Sequence, residues 1–151
     1  MIATGSRAPN ITLPDQDGNS VDLAELLNSG PLILYFYPAD FTPGCTKEAC
    51  NLRDMQDDLL ASGLRVVGVS PQDSESHRRF SDKHQLGFTL LADTDKTAVK
   101  AYDVDGPLGF GVRRASFLID QDGMIADAVL ADFLIERHDE FFRRAAQRAS
   151  S

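Results

Sequence analysis

The chain has 151 residues, 42% of them hydrophobic and 25% charged, which suits one folded globular domain over residues 1–151 with a single buried core. A formal net charge of -8 speaks against a nucleic-acid partner, because phosphate backbones are bound by clustered Lys and Arg. The longest apolar run, Leu32 to Tyr37, is far too short to cross a bilayer, and MIATGSRAPN has no basic-then-apolar leader, so a soluble cytoplasmic protein away from membranes is expected.

In chain order, the first signal is DQDG at Asp15 to Gly18, whose Asp-Gly pair predicts a tight hairpin turn with positive φ angles. Short aliphatic and aromatic runs then alternate with amphipathic segments. Leu32 to Tyr37, Leu64 to Val69, Phe88 to Leu91 and Ser116 to Ile119 read as buried strands. Thr42 to Ser62, Ser74 to His84 and Asp95 to Tyr102 carry apolar positions at spacings of three and four and read as helices. A second DQDG, Asp120 to Gly123, predicts another hairpin. A last helix from about Glu136 places Phe141, Phe142 and Ala145 on one face, with arginines near its end that suit the helix dipole. The order βαβαβα followed by ββα predicts an α/β protein of thioredoxin-like fold, with a central mixed sheet, an N-terminal β-hairpin extension and flanking helices.

Chemistry concentrates in TPGCTKEAC, Thr42 to Cys50, which holds the only two cysteines. Pro38 ends the preceding strand, Thr42 suits an N-cap, Pro43 the first helical position, and Glu48 the positive end of the dipole. Cys45 is then in the first turn of a helix at the carboxyl end of a buried strand, where α/β sheets place ligands. Unpaired N–H groups there favour a thiolate. Full ionisation of an ordinary thiol gives only roughly a thirtyfold gain in rate. Enzymes need about a millionfold or more, so donors to the transition state must supply the rest. Positions five apart on an intact helix lie about 8.6 Å apart at Cα, beyond the roughly 7 Å reach of a disulfide. Bonding Cys45 to Cys50 therefore requires the first turns to unravel. A permanent staple is disfavoured, and so is zinc, since His77, His84 and His138 show no ligand spacing. Two unrelated buried cysteines stay open, more so for Cys50 than for Cys45.

Pro38-Ala39-Asp40-Phe41-Thr42-Pro43-Gly44-Cys45 resembles the P-x-x-x-T-x-x-C motif of peroxiredoxins, and TPGCTKEAC is similar to the bacterioferritin comigratory protein (PrxQ) subfamily. Further blocks extend the resemblance over nearly the whole chain: APNITLPDQDGNSVDL, RVVGVSPQDSESHRRFSDKHQLGFTLLAD and RRASFLIDQDG. It implies Cys45 as the peroxidatic nucleophile and Cys50 as the resolving cysteine. Thr42 would hydrogen-bond the thiolate and the peroxide, Pro38 would shield the pocket, and Arg114, rather than Arg113, would be the site arginine. Glu48 would either orient that arginine or merely suit the helix dipole.

The implied activity is thiol-dependent reduction of hydrogen peroxide or organic hydroperoxides, recycled by thioredoxin or a similar dithiol, with no cofactor. Rival readings are a thioredoxin-like disulfide reductase, whose usual C-x-x-C spacing is missing, and a redox sensor that reacts once and stops. Ala39 stands where many relatives carry Lys, and AYDVDGPLGFGV is short and lacks their tryptophan. Phe41 and Phe110 could line an apolar entrance or simply pack. Without a long apolar surface strip, a monomer is expected.

Overall fold

The computed structural model describes residues 1–109, 111–132 and 134–150, with 149 and 150 described by backbone alone. Strands β1 (Thr12–Pro14) and β2 (Ser20–Asp22) form the N-terminal hairpin as a separate two-stranded sheet. The main sheet contains β3 (Leu32–Phe36), β4 (Arg65–Ser70), β5 (Thr89–Ala92), β6 (Ala115–Ile119) and β7 (Ile125–Leu130), in the order β5-β4-β3-β6-β7. β3, β4 and β5 run parallel, whereas β6 is antiparallel to β3 and to β7. This is the mixed sheet of the thioredoxin-like fold, and the predicted strands match it to within a residue or two.

The helices are α1 (Leu23–Leu27), α2 (Pro43–Ala61), α3 (Ser74–His84), α4 (Thr97–Ala101) and α5 (Ile135–Ser150). The sequence pattern missed α1. Its five residues complete too few turns to show a period, and it is held by the Asp22 carboxylate accepting from Ala24 N–H at 3.2 Å. Both DQDG segments are turns, but only the glycines take positive φ (Gly18 +81°, Gly123 +84°). The two-residue positive-φ turn expected from Asp-Gly is therefore corrected. The first Asp of each copy closes the turn instead, accepting two backbone N–H groups: Asp15 from Asp17 and Asn19, Asp120 from Asp122 and Met124.

Alternation along β3 divides the core. Leu32, Leu34 and Phe36 pack with α1 and α4 on one side, while Ile33, Tyr35 and Tyr37 pack with α2, α3 and α5 on the other. Tyr35 is almost fully buried and lies across Gly68 of β4, where an added Cβ would come within 2.8 Å of its ring. Because β3 and β6 are antiparallel with Phe36 opposite Ala115, the end of β3 lies beside the start of β6. That places the start of α2 next to Arg114.

Candidate active site

The loop from Pro38 to Thr42 is held by side chains from α3 and from the connection between β4 and α3. The buried Asp40 carboxylate accepts from Tyr37 Oη (2.6 Å), Ser76 Oγ (2.8 Å) and His77 Nδ1 (2.7 Å), while His77 Nε2 donates to the Leu91 carbonyl at 3.0 Å. Burial pushes the Asp40 carboxyl up, but hydrogen bonding by His77, Tyr37 and Ser76 outweighs it and holds the group below its ordinary range. Gln72 accepts from Asp40 N–H (3.1 Å) and donates to the Pro38 carbonyl (3.2 Å). Held this way, Phe41 adopts φ +66°, rare for an aromatic residue, and packs edge-on against Phe80 with 46% of its surface exposed.

α2 begins after Thr42 with Pro43 in its first turn, as the sequence predicts, so Cys45 is a first-turn residue and is 1% exposed. Its Sγ lies 3.2 Å from Arg114 Nη2, whose other terminal nitrogen, Nη1, donates to Glu48 Oε1 at 2.7 Å. One guanidinium thus bridges thiol and carboxylate with two fixed donors, a geometry that a lysine ammonium does not offer. Burial acts to lower the Arg114 pKa, but Glu48 and Cys45 outweigh it and the charge is retained. Gly44 leaves room for the bridge, since a Cβ there would meet Nη2 at 3.1 Å.

Arg114 is itself positioned by Asp132, which accepts from its backbone N–H (3.0 Å) and from Arg113 Nη2 (2.9 Å). Arg113 faces outward into that ion pair with its side chain 44% exposed, so Arg114 is the arginine at the thiol. Glu48 is fully buried in the second turn and paired with Arg114, which overturns the simple dipole role for it.

Thr42 also requires a correction. It occupies the N-cap position, yet its hydroxyl caps nothing and donates instead to the Ala39 carbonyl at 3.0 Å, so its one proton is not directed at Cys45. Cys50 lies on the same unbroken helix, half-buried, and both thiols are free. Phe110 is outside the described residues. A cleft of about 700 Å³ opens above the site, lined by Pro38, Thr42, Gly44, Pro107, Val112, Arg114 and Ile135 among others.

Behind Arg114, Glu48 is joined by two residues that sequence reading missed as site members, Ser116 of β6 and His138 of α5, and all three are fully buried. Burial raises the Glu48 carboxyl to about 7 against the pull of Arg114. Burial also lowers His138 to about 4, although its bond to the Ala131 carbonyl acts the other way. The signal was present. His138 lies three and four residues before the buried Phe141 and Phe142, on the apolar face of its helix, where a lone histidine needs polar partners from elsewhere.

The AhpC/TSA family model matches residues 4–128. The chain belongs to this family. Peroxiredoxin Bcp of Escherichia coli is 41% identical over 145 residues, covering 92% of both chains. The putative chloroplastic peroxiredoxin Q of Oryza sativa is 40% identical over 139 residues, which is 91% of this chain but only 63% of that longer protein. In three dimensions the chain is similar to peroxidoxin BcpB of Mycobacterium tuberculosis, with a TM-score of 0.92 and 32% identity over the full length of both. The peroxiredoxins of the Bcp and Q type are thiol-dependent peroxidases, and this chain is a peroxiredoxin of that type. Among the described residues no helix is long and apolar enough to cross a membrane.

Proposed function

We propose that the chain reduces peroxides at Cys45 and closes the cycle through Cys50. The observation that carries this reading is the 3.2 Å contact between Arg114 Nη2 and Cys45 Sγ at a helix start beneath an open cleft. The Cys45 thiolate attacks the terminal peroxide oxygen, the O–O bond breaks, and the leaving oxygen takes a proton as water or alcohol. Cys45 becomes a sulfenic acid. Arg114 and the first-turn N–H groups stabilise charge moving onto the leaving oxygen. Thr42, its proton given to Ala39, presents lone pairs that accept the peroxide O–H. Pro38 walls the cleft.

Cys50 then attacks the Cys45 sulfur, water leaves, and an intramolecular disulfide forms. Thioredoxin or a similar dithiol reduces it. Pro107, Val112 and Ile135 make the cleft largely apolar, which supports organic hydroperoxides as substrates alongside hydrogen peroxide. The chain works as one domain and as a cytoplasmic monomer.

A general disulfide reductase is disfavoured by the 1% exposure of Cys45, because a nucleophile for protein disulfides must reach the surface. The test is mass measurement after one equivalent of peroxide. A Cys45–Cys50 linked peptide with loss of two hydrogens is expected, and steady peroxide consumption should continue with a dithiol in excess. Unchanged thiols would sink the proposal, and a single event without turnover would make the protein a sensor.

A further inference from the structure

Glu48 has one satisfied oxygen and one orphan. Oε1 accepts from Arg114 Nη1 at 2.7 Å, whereas Oε2 is buried with no hydrogen-bond partner among the described residues. The group facing Oε2 is His138 Nδ1, at 3.4 Å. His138 Nε2 lies 2.9 Å from the Ala131 carbonyl, which only an N–H can satisfy, so the neutral ring presents a lone pair at Nδ1. Ser116 Oγ, 2.9 Å from Nδ1, is the competing donor for that lone pair.

With Glu48 ionised and His138 neutral, two acceptors face each other and one buried oxygen stays unpaired, an arrangement that costs free energy. A proton on Oε2 removes the conflict by donating to Nδ1. It also changes the charge around Arg114, which otherwise serves two anions, the carboxylate of Glu48 and the thiolate of Cys45.

We propose that Glu48 and His138 act together as a positioning pair that stores one proton on Glu48 Oε2, donated to His138 Nδ1, so that the Arg114 charge is kept for the Cys45 thiolate and the incoming peroxide. Ser116 tunes the store by competing for Nδ1. The remaining groups around the carboxylate agree with this location. Asp139 on α5 opposes its ionisation, as burial does, and only Arg114 favours it. Tyr35 of β3, itself buried with an unpartnered hydroxyl, adds no charge. His138 is an acceptor because burial, the largest influence, disfavours its cation, and Arg114 acts in the same direction against the Ala131 carbonyl and Asp132.

The inference rests on Cys45 as the reacting thiol, but its first readout does not. Infrared difference spectra of the reduced protein should show the carbonyl stretch of one buried neutral carboxylic acid, lost in Glu48→Gln and disappearing as pH is raised through neutrality. Ser116→Ala removes the competing donor and should move that midpoint up, while His138→Leu removes the acceptor and should move it down, each by about one pH unit, the size of one buried hydrogen bond. In a Cys50→Ser background, the alkaline fall in single-turnover oxidation of Cys45 should follow the same midpoint in each protein, and Glu48→Gln should lack that fall.

A structural role alone would not move the midpoint in opposite directions. Absence of the band, or Ser116→Ala and His138→Leu shifting it the same way, overturns the proposal. If His138→Leu does not fold, Glu48→Gln and Ser116→Ala still decide it. Peroxide consumption by Cys45→Ser would instead refute the assignment of the thiol and leave the band to be judged separately.

Discussion

Arg114 presents two fixed nitrogens, one toward Cys45 Sγ and one toward Glu48 Oε1. Arg114→Lys keeps the charge but offers one mobile ammonium in place of the planar fork, so it cannot hold both partners in that geometry. Single-turnover oxidation of Cys45 should slow by about 10²-fold, the cost of losing one aimed donor to a developing oxyanion. A variant as fast as the parent would mean that charge alone suffices. Residues of this kind were only half legible in the sequence. Cys45, Pro38 and Arg114 stand within a contiguous motif or beside a strand, whereas Glu48 carried two readings that only its burial and its 2.7 Å contact separated. His138 and Ser116 are 22 positions apart on different elements, and no local pattern pairs them.

At the scale of elements, α2 is the part that the proposed Cys45–Cys50 bond requires to change. Cys45 and Cys50 lie on one continuous helix, where Cα atoms five residues apart are about 8.6 Å apart, too far for a disulfide. The neighbouring loop is anchored from outside the helix by Asp40, Gln72 and His77, so unwinding can be confined to the first turns of α2 while Pro38 to Asp40 stay docked. Amide hydrogen exchange should therefore speed up on oxidation by at least about tenfold over residues 44–50, roughly one net hydrogen bond's worth, with β3 and β6 unchanged. Equal protection in both redox states would rule out the Cys45–Cys50 bond as drawn. The helix start was readable from Thr42 and Pro43. The missing cap bond was not, because whether a threonine hydroxyl turns to the helix or to the Ala39 carbonyl depends on the loop path imposed by Asp40.

For the whole molecule, the buried pair shapes how stability depends on pH. The Glu48 carboxyl is raised from its ordinary 4.5 to about 7, so its contribution is fully present below 4.5 and lost as pH rises toward 7. His138 is lowered from 6.5 to about 4, so its contribution is present above 6.5 and lost as pH falls toward 4. Between 4.5 and 6.5 the native state holds one proton on Glu48 and the unfolded state holds one on His138, so the pair imposes no slope there. His138→Leu removes the compensation. Its unfolding free energy, from urea midpoints, should fall by roughly 2 kcal/mol from acid to neutral pH, with the parent nearly flat over the same range. A flat profile in both would place the buried proton elsewhere.

The sequence by itself determined the order of strands and helices, the N-terminal hairpin and the helix-start cysteine, because each is written in local periodicity, turn chemistry or a contiguous motif. Only the tertiary structure decided which polar groups share the buried space behind Cys45. The antiparallel placement of β6 against β3 brings Arg114 to the start of α2, and the docking of α5 brings His138 onto Glu48. Those contacts join residues 66 and 90 positions apart, since 114 − 48 = 66 and 138 − 48 = 90. Side-chain charge states at such contacts follow from burial and from partners supplied by other elements, which one-dimensional spacing does not encode.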